Sequence, residues 1–490
     1  MQPASHFGRS ALGVFLVLAG IYLATASFRI DTIDTGVRLE VARSLVREGT
    51  PAVEPMRMQT PFGIVGSFPG QGGRHFAVYG IGQSLLMVPF VALGGEHDAT
   101  LIPIINLLAT ALTAAMLVLL AGRLGFSERA GVRVALLYGV ATLAWPHAKF
   151  TFEAPLESAA GVAALFFALR EGRRSAVLAG LAFGAALLVR PTAVLFLPAL
   201  AWLIATGPHG RGRAGAFALA AAPAVAVVLG YNALRWGDAL SVGYDRTEFR
   251  YFAPQARAFF GLVASPGRSF FVYNPALVLA FSGFRGFRRA APRFAPVIPL
   301  IAGAYLAFLS FVTVWSGDWT WGPRHLLPVV PVLALATLPL LEPGRIRRSL
   351  LLPLVSLSIA VQLVGVSLNY ETYYIWYNQW VRQTGATETA DDIHFAPSRS
   401  QVYVESRLAW TFFRSLRERM IAYEPSRDGA PYAPILQGSP RVTRRMPDFW
   451  WVWFPLVGVS RVAMFAFGLL CVASAAAGML LLRERRVRGP

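Results

Sequence analysis

The chain is poor in the features that soluble enzymes build on. Its single cysteine, Cys471, lies in an apolar run, which excludes a disulfide framework and a thiolate metal site and leaves packing as its role. Lys149 is its one lysine. Charged residues make up 14% of the 490 positions against 55% hydrophobic ones, and the mean hydropathy is +0.51. Those proportions exclude an ordinary soluble domain and indicate a polytopic membrane protein. Internal repeats and low-complexity tracts are also absent.

The formal net charge of +19 does not call for a nucleic-acid partner. The basic residues, nearly all arginine, sit in short segments between apolar runs, the distribution that orients helices in a membrane and suits anionic lipid. Apolar runs at 11–28, 98–120, 132–146, 155–169, 176–189, 191–206, 214–234, 270–284, 295–315, 326–341, 350–368 and 462–482 predict an all-α bundle of about twelve membrane helices. Starting inside, every even-numbered helix ends in an arginine cluster, around Arg123, Arg170, Arg211, Arg288, Arg347 and Arg485. The outer loop 235–269 breaks the rule with Arg235, Arg246, Arg250, Arg257 and Arg268. Within 176–206 the pair Arg190-Pro191 divides two short helices and leaves Arg190 near membrane depth, where an arginine faces the bundle interior and binds an anion.

Three outer segments are long: 29–97, 235–269 and 369–461. The domain reading is a transmembrane unit over 1–368 with its first outer loop at 29–97, an outer loop or small domain at 369–461, and a last span with a basic tail at 462–490. Leu12 to Leu23 followed by Ala24-Thr-Ala26 resembles a signal-peptide core, yet a retained first helix is favoured, because the amphipathic segment just downstream needs an anchor. In that segment Val37, Leu39, Val41, Ala42, Leu45 and Val46 share one face and Glu40, Arg43, Ser44 and Arg47 the other, with Arg38 an intruder. It reads as a helix lying on the membrane surface, with Asp34 at its N-terminal edge, where a carboxylate can serve simply as a cap. The stretch Tyr79 to Gly94 is apolar but broken by glycine and proline, as an interfacial or re-entrant segment would be.

On this topology acids and bases gather at one membrane face: Asp31, Asp34, His75, His147, Lys149, Glu153, Arg190, Tyr244, Arg268, Arg324 and His325. Mixed charges at the rim of a hydrophobic bundle suit a substrate with a phosphate head and a greasy tail. Asp34 followed by Ala42-Arg-Ser-Leu resembles a "DExxYxxxARSL" opening, and His75-Phe-Ala-Val-Tyr79-Gly-Ile-Gly-Gln-Ser-Leu-Leu-Met-Val-Pro-Phe resembles "YGxGxxLLxxPF". Lys149-Phe-Thr-Phe-Glu153-Ala-Pro-Leu is similar to "KTFFSEPL" and Leu188-Val-Arg190-Pro-Thr192 to "LTRPT". Ser265-Pro-Gly-Arg268-Ser-Phe-Phe-Val-Tyr273 and Trp315-Ser-Gly-Asp-Trp319-Thr-Trp-Gly-Pro-Arg324-His-Leu-Leu-Pro328 are similar to "SPGRGLFxY" and "WxGGWxxGPRYLLP". These six motifs, in the same order over residues 31–330, belong to the bacterial polyprenyl-phosphate-sugar-dependent glycosyltransferases, a group that includes the protein O-mannosyltransferase and lipid A aminoarabinose transferase families.

The resemblance implies a GT-C fold in the cell inner membrane, with an outward-facing active site between the first outer loop and the bundle. It implies transfer of a sugar from a polyprenyl-phosphate donor, which is a substrate and not a cofactor, to the hydroxyl of a glycan, lipid or protein acceptor. Such a reaction needs a base for the hydroxyl and cations for the departing phosphate. Asp34 is the candidate base and Glu153 a second catalytic carboxylate that orients the acceptor or pairs with Lys149. Lys149, Arg190, Arg268 and Arg324 are candidates for the phosphate, and Asp31, Tyr79 and Trp319 for the sugar or isoprenoid. The pattern's second acid is Thr35 here and its tyrosine is Arg38, so no required metal is expected, and Asp31 could stand in for the lost acid. A transporter or flippase of lipid-linked intermediates and an inactive family scaffold are the alternatives; scarce midplane charge speaks against the transporter.

Overall fold

The computed structural model describes residues 4–30, 32–60, 63–244, 254–317, 319–344, 348–386, 392–421 and 447–483. Each of the twelve apolar runs carries helix, so helices dominate as expected. Among the described residues four helices are long and apolar enough to cross a bilayer alone: His6–Thr25, Asp98–Arg123, Gly210–Trp236 and Arg461–Arg483. A fifth is formed if Leu351–Ser367 and Glu371–Thr384, bent by 77°, count as one span. The other runs give shorter helices, several broken by proline.

In chain order, α1 (Ala4–Thr25) leads into α2 (Ile33–Arg47), and strands β1 (Ala52–Val53), β2 (Arg57–Thr60), β3 (Gly63–Pro69) and β4 (His75–Ala77) precede α3 (Gly82–Gly94). The strands form an antiparallel sheet in the order β1-β4-β3-β2, with Ala52 opposite Phe76 and Ser67 opposite Ala77. Segment 29–97 therefore contains a small sheet as well as helices, which the reading of interfacial helices alone did not include. Its strands are short and lack the long alternating run that announces a strand in sequence. The bundle continues through α4 (Pro103–Arg123), α5 (Glu128–Val140), α6 (Ala144–Lys149), α7 (Ala154–Leu169), α8 (Arg173–Val189), α9 (Leu197–Ala205) and α10 (Gly210–Trp236). Later come α11 (Val297–Leu309), α12 (Arg348–Ser367), α13 (Glu371–Thr384), α14 (Gln401–Arg414) and α15 (Arg461–Arg483).

In lipid there is no water to drive helices together, so close packing and satisfied backbone groups must do so. The pair α1 and α15 shows the means: a Cβ on Gly20 would lie 2.6 Å from the Cys471 carbonyl, and one on Gly478 2.4 Å from the Gly13 carbonyl. Small residues let the two backbones approach, and Cys471, buried beside them, packs as expected. The other face of α1 sends Val14, Leu18 and Tyr22 into the main core.

Side-chain contacts divide the molecule into the two ends that the charge pattern predicts. At one end Arg133 donates to the Leu341 carbonyl, Ser127 to Glu342, and Arg213 to the carbonyls of Ala168 and Arg170. At the other, Arg38 meets Glu153, Arg190 meets His325, and Arg29 and Lys149 both meet Asp448. The arginines that broke the charge rule have structural roles at this second end. Arg235 is buried and donates to the carbonyls of Ala77 and Tyr79, Arg257 pairs with Asp392, and Arg268 is buried as well; Arg246 and Arg250 lie outside the described residues.

Candidate active site

Helix α2 begins with Thr32, whose hydroxyl accepts from the Asp34 backbone N–H and so fills the cap. Asp34 is thereby relieved of the capping role that its position suggested. Its side chain, 7% exposed, turns into the protein, where Oδ1 accepts from the Tyr79 hydroxyl at 2.6 Å and Oδ2 lies 3.4 Å from Arg324 Nη1. Nor is α2 a surface helix with one wet face: Thr35, Arg38 and Ser44 are buried, and the Thr35 hydroxyl donates to the Thr151 carbonyl at 2.7 Å.

Tyr79 is delivered by β4 and the turn that follows it. Both glycines of Tyr79-Gly80-Ile-Gly82 lie against the end of α8: a Cβ at Gly80 would be 2.5 Å from the Val189 carbonyl, and one at Gly82 2.6 Å from the Val189 nitrogen. The absence of side chains there brings Tyr79 and Arg190 to the same cavity. Helix α8 ends at Val189, Arg190 is extended, and Pro191 opens a 3-10 turn before α9, so two short helices do meet at Arg190.

Glu153 lies just before α7 and is 5% exposed. It accepts from Arg38 Nη2 at 2.9 Å and lies 3.5 Å from Arg190 Nε, so its partners are these arginines and not Lys149. Burial pushes its carboxyl up, but Arg38, Arg190 and Arg324 outweigh burial and hold it below the ordinary carboxylate range. Arg38, the intruder on the helical wheel, also covers the Tyr79 ring at 4.1 Å. Burial, with the Asp34 carboxylate alongside, raises the Tyr79 phenol well above its ordinary value, so it remains a donor. Arg190 further approaches Glu157 at 3.6 Å and donates from Nη2 to His325 Nδ1 at 2.6 Å. A guanidinium can only donate, so Nδ1 is the acceptor and the imidazole proton is on Nε2.

These groups border a cavity of about 770 Å³. Its lining includes the polar Asp34, Tyr79, Glu153, Arg190, Arg324, His325, Asp238, Ser241 and Tyr244 and the apolar Val194, Leu195, Phe308, Leu309, Val312 and Val314. Five of the residues singled out from sequence therefore converge. Lys149 does not: its ammonium binds Asp448 Oδ2 at 2.8 Å and the carbonyls of Val366 and Asp448. Arg268 is likewise committed elsewhere, to the Thr320 and Gly322 carbonyls and the Tyr374 hydroxyl, and Trp319 stacks on Tyr374 at 5.0 Å. Asp31 lies outside the described residues. His325, Tyr244 and Asp238 are the cavity residues that sequence reasoning left out of the site. The first two were visible as polar residues of the same face, whereas nothing in the sequence distinguishes Asp238. Among the described residues no three His, Cys, Asp or Glu side chains converge on one point.

The fold is similar to that of ArnT from Cupriavidus metallidurans bound to undecaprenyl phosphate, with a TM-score of 0.50 and 14% identity over 96% of this chain and 77% of that one. Apo ArnT from the same organism matches with a TM-score of 0.50 and 14% identity over 96% of this chain and 76% of that one. The oligosaccharyltransferase AglB from Archaeoglobus fulgidus, in complex with an inhibitory peptide and a dolichol-phosphate, gives 0.40 at 13% identity over 91% of this chain and 63% of its own. No curated protein matches by sequence. Residues 82–236, which include Glu153 and Arg190 but neither Asp34 nor Arg324, match the family model of dolichyl-phosphate-mannose-protein mannosyltransferase. The resemblance read from the sequence is thus borne out: the chain is a helical membrane protein with the fold of the GT-C glycosyltransferases, similar over residues 82–236 to the mannosyltransferase family.

Proposed function

We propose that the chain transfers a glycosyl group from a polyprenyl-phosphate donor to an acceptor hydroxyl at the outer membrane face, with Asp34 as the base. The observation that carries this reading is the convergence of Asp34 with Arg190 and Arg324 on one cavity whose lining is otherwise largely apolar. The acceptor O–H gives its proton to Asp34 Oδ2, the oxygen bonds to the anomeric carbon, and the bond from that carbon to the phosphate oxygen breaks. The electron pair leaves with the polyprenyl phosphate. Arg190 and Arg324 face the growing negative charge, and the Nε2–H of His325 supplies a neutral donor to the same oxygens. Undecaprenyl phosphate, bound in the ArnT structure, is a molecule of the class that departs in this step.

On this reading Tyr79 fixes Asp34 through Oδ1, while Oδ2, 3.4 Å from Arg324, takes the acceptor proton. Glu153 is a positioning residue: held ionised between Arg38 and Arg190, it sets the direction in which Arg190 points. Lys149 and Arg268 serve the scaffold. The reaction is proposed without a bound metal, since a guanidinium, Arg38, takes the place beside Glu153 and over the Tyr79 ring.

The test is Asp34→Asn in proteoliposomes supplied with radiolabelled polyprenyl-phosphate sugars and an envelope extract as acceptor. The variant should remain folded and keep its binding of polyprenyl phosphate while transfer falls by at least 100-fold, the scale of a lost base. Full transfer by that variant would remove Asp34 from the mechanism. Movement of lipid across the bilayer without transfer, by the native protein, would favour the transporter.

A further inference from the structure

At the end of the bundle away from the cavity lies a second hollow of about 490 Å³, between α9 and α10. Its origin is legible in spacing. Leu197, Ala201 and Ala205 recur every four residues along α9, as do Gly210, Ala214 and Ala218 along α10, so each helix turns a row of one face toward the other. Apart from Leu197 the positions of these two rows are alanine or glycine, and the helices are left with a trough between them. The α9 side runs about 12 Å from Leu197 to Ala205. Both walls are hydrocarbon, and Ala201, Ala205, Ala214 and Ala218 are exposed.

The mouth of the trough is basic. Arg211, exposed, lines it and makes no hydrogen bond or ion pair within the described residues. Arg293 closes over the same turn, donating to the Leu203 carbonyl at 2.6 Å, and Arg213 donates to the carbonyls of Ala168 and Arg170 just behind. The acid that faces this group is Glu171, which acts on Arg213. Trp202, 40% exposed, donates its indole N–H to the Arg293 carbonyl at 2.9 Å, the posture of an aromatic residue at a membrane interface.

We infer that this trough binds one anionic phospholipid, an acyl chain lying between α9 and α10 and its phosphate held at Arg211. An acyl chain matches the walls, which offer no polar partner along their length, and only an anionic head satisfies an arginine rim with a surplus of positive charge. The site is separate from the cavity of the proposed reaction. Helix α9 nevertheless joins the two, since the 3-10 turn that carries Thr192 to the cavity runs straight into it. An occupant that fixes α9 against α10 therefore steadies the segment on which Arg190 stands.

The experiment is native mass spectrometry of the full chain in detergent, titrated with an equimolar mixture of dioleoylphosphatidylglycerol and dioleoylphosphatidylcholine. The single-lipid adduct of the native protein should be enriched in phosphatidylglycerol. Arg211→Gln should lower that enrichment about fivefold, the effect of one basic residue at an anionic surface, and Arg211→Lys should restore it. Ala214→Trp, an exposed position, should abolish the tight adduct by filling the trough while leaving the melting temperature in place. Equal retention of the two lipids by the native protein, or an unchanged ratio in Arg211→Gln, would overturn the inference. A preference that survives Ala214→Trp would place the lipid elsewhere on the surface and overturn it equally.

Discussion

Replacing Glu153 by glutamine preserves its size and removes its charge, and the structure says what is left behind. Arg38, 2% exposed, loses the one carboxylate it touches among the described residues, while Arg190 keeps Glu157 at 3.6 Å and His325. Breaking a buried pair from one side costs about 3–5 kcal/mol, because the remaining ion is desolvated without compensation. At roughly 2 cal/mol/K per residue, a chain of 490 residues unfolds with an entropy of about 1 kcal/mol/K, so the melting temperature should fall by about 3–5 °C. Thermal unfolding in one detergent at one scan rate, followed by intrinsic tryptophan fluorescence, measures this. Arg38→Met with Glu153→Met removes both ions and should recover at least half of the loss. A melting temperature for Glu153→Gln within 1 °C of the native value, or a double variant no better than the single one, would refute the assignment of Glu153 as the anchor of two buried arginines. The pH profile carries a sign that follows from the depressed carboxyl. Glu153 contributes its stability in full above the ordinary carboxylate range and loses it only as the pH falls through the lower folded value. The native advantage in melting temperature over Glu153→Gln should therefore stay constant between pH 7 and 5 and shrink only below about pH 4.3.

Tyr79→Phe removes the 2.6 Å hydrogen bond to Asp34 and should cut transfer about 10- to 100-fold, with little change in donor KM, since hydrogen bonds to charged groups are worth about 1.5–3 kcal/mol. Gly80→Ala sets a methyl 2.5 Å from the Val189 carbonyl; it should destabilise the protein by about 1–3 kcal/mol and lower transfer by displacing Arg190, both measurable on one preparation. Lys149→Met should lower the melting temperature, because buried Asp448 loses one of its two cations and keeps only Arg29 among the described residues, without altering donor KM among molecules that remain folded. An increase in KM larger than that for Arg190→Gln would return Lys149 to the phosphate site.

The amino-acid order by itself determined the membrane class, the sites of the helices and their two-ended charge pattern, because hydropathy and arginine placement are properties of single segments. It also singled out Asp34, Tyr79, Glu153, Arg190 and Arg324, since each stands in a recognisable local motif. It did not show the sheet of β1 to β4, whose pairing depends on contacts between strands too short to carry a periodic signal. Nor could it decide between Lys149 and Arg190 as the cation near Glu153. Lys149 is four residues away along the chain, yet its ammonium is drawn to Asp448, about three hundred positions later, and only the packing of distant segments makes that choice. The same holds for Asp34: a carboxylate in the first turn of a helix looks like a cap until Thr32 is seen to fill the cap and Tyr79 to hold the acid toward the cavity. Which charge meets which was decided in three dimensions, because in a low-dielectric interior each ion must find a counter-ion or donor within a few ångströms, and sequence distance does not measure that.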